Sequence, residues 1–325
     1  MAGRGAAARR PLLWTLLLLL ALAAASLPVG VAEFRLGRLL DEPAMLELLL
    51  LSRLPRTLAA LLTGASLAVA GALVQLMVRN RFVGPGTMGT TEAAVLGLLA
   101  ATLLAPGLSL FAKMLLAALA ALAGTGGFLL LIRRLPPEQP LLVPLVGLIY
   151  SGILAAAATF LAYQADLVQY LGIWTNGEFS GVLAGRYELL WLAGCGALLV
   201  YLAADQFTLV GLGRTVGVSL GLNYGQTLTL GLASVALVTA LVVVTVGGVP
   251  FVGLVVPNLV ARLMGDDLRR SLPVVAGAGA GLVLACDILG RLLRYPYEVP
   301  VGSLFGVVGA VAFLWLLLAR PGHGG

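Results

Sequence analysis

The sequence predicts an all-α polytopic membrane protein of about ten transmembrane helices. Of its 325 residues, 60% are hydrophobic and only 10% are charged, whereas a soluble domain is about half apolar and about a quarter charged. The apolar residues form long blocks, not the short alternating runs of half-buried strands. A membrane helix needs roughly 20 apolar residues, so ten of them use about 200 and leave room for loops. The same balance excludes disorder, which needs low hydrophobicity and high charge.

Clusters of Gly, Pro and charge delimit the spans. The first, 11–32, follows the basic start MAGRGAAARR. A basic start, an apolar run and small residues also describe a signal peptide. Here the run continues through Leu27 to Ala32, so a retained helix is expected behind a tail of residues 1–10. The second span, 54–78, opens near Pro55, a residue suited to a first helical turn. Gly84, Pro85, Gly86 and Gly89 then predict a tight reversal at the membrane surface before the third span, 87–105. The fourth and fifth, 108–132 and 142–164, flank the loop PPEQP, and the sixth is 186–203.

Residues 207–227, FTLVGLGRTVGVSLGLNYGQT, form the longest polar, Gly-rich segment outside the spans. Leu209, Leu212, Val216 and Leu220 predict one short amphipathic helix, with Gly221 ending it and Leu222–Gln226 making a second turn. Span seven is 227–247. The eighth, 250–264, is short and holds Pro250 and Pro257, which predicts a broken helix; the membrane tolerates one where protein or a cavity satisfies the backbone. Spans nine and ten are 271–292 and 301–319, followed by a tail of residues 320–325. Gly64/Ala68/Ala72, Gly277/Gly281 and Gly302/Gly306/Ala310 repeat small residues at spacing four, which lets helix backbones approach closely. All of this reads as one domain, 1–325.

Charge sets the orientation. With the N-terminus in the cytoplasm and ten crossings, the inner side holds twelve basic residues against four acidic ones, and the outer side eight against eight. Basic residues favour the cytoplasmic face, so both termini are expected there. Glu92 and Asp287 fall in or near helices. Lys113 is the only lysine, with Ala112 before it and Met114 after. A P-loop needs Gly-Lys-Ser/Thr, so no such nucleotide site exists in the chain. One histidine, His323, excludes a His-based metal site or triad, and Cys195 and Cys286 read as small packing residues. A pI near 9.7 is explained by scattered arginines and does not point to nucleic acid.

Four segments stand out. Arg53 and Arg56 are three apart at the outer end of span two, where the positive-inside trend disfavours them. They are candidates either to dock an acidic patch on an external protein or to snorkel to lipid phosphate. In VRNRFVGPGTMGTTEAA, Asn80 and Phe82 are candidates for an inner gate, against a plain helix connector. The 207–227 segment suits either a soluble partner or the bilayer surface. In CDILGRLLRYPYEVPVG, Asp287 and Arg291 are four apart and can pair on one helix face.

Together these blocks resemble the type II ABC-importer permeases for iron–siderophores, haem and vitamin B12. The matched motifs are RLPRTLAALLTGASLAVAGALVQ, the N-x-x-x-x-P turn from Asn80, SLGLNYG, and PFVGLVVPNLVARLMGDDLRRSLP. RNRFVGPGTMGT, GRYELL and CDILGRLLRYPYE are similar to the ferric-siderophore branch, especially its catecholate-type members. Phe82 and Asn258 stand where the vitamin B12 branch has other residues. The resemblance implies that Arg53, Arg56 and Arg291 dock a binding protein, and that Asn80 and Phe82 form an inner gate. It implies that Leu212, Gly213, Val216, Leu220, Gly221, Leu222 and Asn223 couple to a separate ATPase. PPEQP lacks the hydroxyl residues of the family's second gate, so no role is carried onto it. The implied protein is no enzyme and holds no cofactor. It works by alternating access in the cytoplasmic membrane, with an ATP-binding subunit, an extracytoplasmic siderophore-binding protein, membrane lipid and a second, related permease as a heterodimer. Rival readings are a haem or cobalamin importer of the same fold, an ion-coupled secondary transporter, and a membrane scaffold.

Overall fold

The computed structural model describes residues 3–30, 42–132, 134–135, 142–265 and 267–318. The PPEQP loop, the tail 320–325 and the charges Glu33, Arg35, Arg38, Asp41, Arg133, Glu138, Asp266 and Arg320 lie outside the described residues. Helix α1 is Gly3–Ser26, so residues 3–10 continue the helix instead of forming a separate tail. It also stops before the expected residue 32. Pro28 accounts for the stop, because proline lacks an N–H and biases the residue before it away from helix.

Helix α2 (Pro43–Leu48) passes through a π-helical turn, Leu49–Arg53, into α3 (Leu54–Val78). The second span is therefore one 36-residue rod from Pro43 to Val78, and Pro55 lies inside it, not in its first turn. The proline ring deprives the Leu51 carbonyl, four residues back, of its helical donor. The Ala184 N–H takes that place at 3.0 Å. A 3-10 turn, Pro85–Met88, leads into α4 (Thr90–Leu104), followed by α5 (Leu110–Ile132) and α6 (Leu142–Gln164). Then come α7 (Val168–Thr175), α8 (Leu189–Leu202), α9 (Ala204–Gly211), α10 (Arg214–Ser219) and α11 (Tyr224–Val246). The last three are α12 (Val252–Met264), α13 (Leu268–Leu293) and α14 (Val301–Leu318).

The ten expected spans are all present as helices, but they are not alike. Five rods are long and apolar enough to cross a membrane alone: Pro43–Val78, α5, α6, α11 and α13. Helices α8 and α9 make a sixth when taken together across a 66° bend. The apolar stretches in α1, α4, α12 and α14 are shorter. Helix α3 is the hub and packs on α8, α11, α12 and α13. Its Gly64 meets Gly279 of α13 backbone to backbone, so closely that a Cβ on either glycine would overlap the other's carbonyl. Gly277 is turned instead toward Thr15 of α1.

The reversal after α3 is not a surface connector. Val83, Pro85, Met88 and Thr90 are buried. The turn is inserted into the bundle against the break between α11 and α12, with Pro85 on Gly253 and Thr91 on Gly248. This explains the brevity of α4, whose 15 residues cover about 22 Å of an apolar layer roughly 30 Å thick. Backbone freed by the break finds partners inside the protein. Gly177 N–H donates to the Gly248 carbonyl at 2.7 Å, Glu178 N–H to Val246 at 2.8 Å, and Gly302 N–H to Gly177 at 2.9 Å.

Inside α12, Pro257 removes the donor for the Gly253 carbonyl. Gln75 of α3 supplies one: its side-chain amide donates to Gly253 at 3.2 Å and to Leu254 at 3.1 Å. Gln75→Leu leaves a buried carbonyl unpaired, which costs about 1–3 kcal/mol. We expect a lower unfolding midpoint in detergent; an unchanged midpoint would reject this account of Gln75.

Candidate functional site

The two ends of α3 carry different chemistry. At its N-terminal end the three singled-out arginines converge with two acids from the C-terminal part of the chain. Arg56 donates to Asp287 through Nη2 at 2.7 Å and Nε at 3.1 Å, and to Glu298 through Nη1 at 3.0 Å. Arg291 reaches the other Asp287 oxygen at 2.7 Å, the i,i+4 pair expected along α13. Its Nη1 also donates to the carbonyls of Ser26 at 3.0 Å and Val29 at 2.7 Å, and its Nη2 to the Ser26 hydroxyl at 2.8 Å. Arg53 donates to the same Val29 carbonyl at 2.6 Å.

Three cations thus face two carboxylates and the carbonyl end of α1, where the helix dipole is negative and favours positive charge. The Asp287 side chain is fully enclosed and that of Arg56 is 11% exposed, whereas Glu298 keeps 25% of its side chain open. Arg53 and Arg291 are buried, and the groups that satisfy Arg56 and Arg291 come from within the chain. Sequence reasoning missed Glu298, Ser26 and Val29 as partners. Only the i,i+4 pair has a local signal; Arg56 and Glu298 are 242 residues apart.

At the other end of α3, Arg79 adopts a left-handed conformation (φ 55°) that stops the helix, and Asn80 N–H closes the end on the Gln75 carbonyl at 3.0 Å. Buried Asn80 accepts from the Phe82 N–H at 2.8 Å. Phe82 is 42% exposed, and its ring meets Phe313 of α14 edge-on, centroids 6.0 Å apart. Asn258, noted in the sequence only as a branch marker, donates to the carbonyls of Arg81 and Leu254, each at 2.8 Å. It thereby ties the inserted turn to α12. Glu92, expected near a helix end, is in the first turn of α4, but that end lies within the bundle, and its Oε2 is buried without a hydrogen-bond partner.

The coupling candidates lie at this same end, where Gly211 packs on Leu76 of α3 and Asp205 pairs with Arg269 of α13. One expected helix is instead two, α9 and α10, parted at Gly213 (φ 100°). A Cβ is disfavoured at such positive φ, so glycine suits the joint. Gly221 (φ 81°) ends α10 in the expected place. Leu222–Gln226 is no separate turn: Asn223 caps α11 by accepting from Gln226 N–H at 3.3 Å, and α11 starts at Tyr224. Leu212, Val216, Val218 and Leu220 remain exposed. Beside them an open hollow of about 1030 Å³ runs between α10 and the start of α11, lined by Arg214, Val218, Asn223 and Tyr224 among others.

The described residues thus form a bundle of ten apolar segments with a broken helix and an inserted turn at its centre. The chain belongs to the FecCD transport family, whose model matches residues 13–319. It is 41% identical over 308 residues to the petrobactin import system permease protein YclN of Bacillus subtilis, covering 94% of this chain and 98% of that one. It is 42% identical over 286 residues to the ferric-anguibactin transport system permease protein FatD of Vibrio anguillarum (88% and 91% covered). Its identity to the vitamin B12 import system permease protein BtuC of Klebsiella pneumoniae is 36% over 280 residues (84% and 82% covered). Among solved structures, an inward-facing metal-chelate type ABC transporter superposes with a TM-score of 0.80 at 27% identity, covering 95% of this chain and 99% of that one.

Proposed function

We propose that the chain is one permease half of an ATP-driven importer that moves a ferric siderophore of the catecholate type across the cytoplasmic membrane by alternating access. The observation that carries this reading is the separation of two surfaces along α3. One end has a buried arginine cluster roofed by the half-open Glu298. The opposite end has exposed apolar residues on α10. An external, acidic binding protein suits the first, and a separate ATPase suits the second. Identities of 41% and 42% to permeases named for petrobactin and anguibactin, against 36% to one named for vitamin B12, favour a ferric siderophore of that kind as cargo.

In this reading both termini are cytoplasmic. Arg53, Arg56 and Arg291 serve docking in a modified form: partner carboxylates approach over Glu298 and share Arg56 with it. Asn80 and Phe82 act at the inner gate. Leu212–Asn223 engage the ATPase. A related second permease covers part of the apolar surface, which includes the exposed Leu145, Leu148, Ile149 and Ile153 of α6. The deciding experiment is uptake of radiolabelled iron, presented as ferric petrobactin on a binding protein, into vesicles holding the permease pair and the ATPase. Uptake is expected to need both ATP and the binding protein. Uptake that persists without the ATPase and collapses with the ion gradient would overturn the proposal.

A further inference from the structure

We propose that Phe313 of α14 and Phe251 at the α11–α12 break are gate residues that act with Phe82; this rests on the inner-gate reading of Phe82 given above. The Phe313 ring is shared. Phe82 meets it edge-on at 6.0 Å and 82°, and Phe251 lies against it at 6.5 Å and 36°. Edge-to-face and offset arrangements are the ones aromatic rings prefer. The three rings come from three separate elements: the inserted turn after α3, the break before α12, and α14. Phe82 is 42% exposed, so it is not fully packed within this chain.

The backbone is arranged to bring these rings together. Phe251 has φ 63°, a conformation that is an outlier for a bulky side chain and persists where the surroundings hold it. Helix α14 admits it at Gly309, where a Cβ would overlap the Phe251 side chain. On the other side, Asn258 holds the Arg81 carbonyl and Asn80 holds the Phe82 N–H, so the Phe82 position follows α12. Helix α14 is held at both ends. Gly302 N–H bonds to Gly177 near its start, and the guanidinium of Arg262, in α12, lies over Trp315 and donates to Leu316 near its end. A shift of α14 relative to α12 that parts Phe313 from both other rings also releases Arg262 from Trp315 and Leu316. Closed, the cluster is an apolar plug that water and small ions cross poorly.

The test uses the complete importer in proteoliposomes: both permeases, the ATPase and the binding protein. Proton leak through the resting transporter is followed with an internal pH dye, beside ATP hydrolysis with and without loaded binding protein. Phe313→Ala is expected to raise the resting leak several-fold and to reduce the stimulation of hydrolysis by loaded binding protein. Phe313→Tyr restores a ring and should return both readouts toward the wild type. Leu314→Ala, at an exposed neighbour on α14, should change neither. Phe313→Leu keeps apolar bulk for the case that alanine impairs folding, and it should leak measurably. A Phe313→Leu or Phe313→Ala transporter that assembles and leaks no more than Leu314→Ala overturns the proposal. The leak readout needs no cargo, so it stands apart from whether ferric petrobactin is imported. A Phe82→Ala transporter that leaks while Phe313→Ala does not would retain the gate reading and reject this extension of it.

Discussion

Asp287→Ala is expected to destabilise the permease by about 3–5 kcal/mol, the usual consequence of removing one member of a buried ion pair. Asp287 is fully enclosed and bridges Arg56 of α3 to Arg291 of α13. Without it two guanidiniums stay inside the bundle with only Glu298, one hydroxyl and a few carbonyls as compensation. The effect should be seen as a large fall in the unfolding midpoint of the detergent-purified protein and as poor recovery from membranes. Asp287→Asn keeps the shape and one acceptor, and should fall between alanine and wild type. A midpoint for Asp287→Ala close to the wild-type value would show that water or lipid reaches the cluster and that the enclosed network is wrong. The same geometry makes charge reversal at Arg56 a poor probe of docking. A glutamate there would face Asp287 and Glu298 and disturb the fold itself.

Val216→Asp combined with Leu220→Asp is expected to strip the ATPase from the permease while the permease itself stays folded. Both residues are exposed, 45% and 61%, so the substitutions remove little internal packing. In a buried interface an unpaired carboxylate is strongly unfavourable. If each site behaves as a hot spot worth roughly 2 kcal/mol, affinity falls about a thousandfold. The readout is co-purification of the ATPase with tagged permease, with the unfolding midpoint as control. Undiminished co-purification would move the ATPase contact away from α10.

The spans are legible in the sequence because each is an apolar block closed by Gly, Pro or charge. The broken helix is legible too: Gly247, Gly248, Pro250 and Pro257 are difficult to place in a continuous rod. Depth is not legible. VRNRFVGPGTMGTTE has the composition of a surface turn, yet its middle is buried. Gly, Pro and Thr serve equally for a turn solvated by water and for one satisfied by protein. Partner choice is hidden for a related reason. Asp287 and Arg291 announce themselves by helical spacing, whereas the tie between Gln75 and the Gly253 carbonyl joins residues 178 apart. Pro55 misleads as well, because a π turn lets the helix continue through a residue that usually opens one. At the coupling segment the positions of Gly213 and Gly221 are legible as joints, but Asn223 could be assigned either to a free turn or to the cap of α11 until the packing decided it.

The arginine cluster also bears on how the chain is made. Ser26 and Val29, at the end of the first helix, hold Arg291, and Ser26 is 265 residues away from it. During synthesis Arg53 follows its Val29 partner, whereas Arg56 precedes both of its carboxylates. Asp287, Arg291 and Glu298 arrive only when α13 and the turn after it are in place. Until then Arg56 lacks the two carboxylates that pair with it in the folded chain. Closure of the cluster is thus a late event that joins the beginning of the chain to its end.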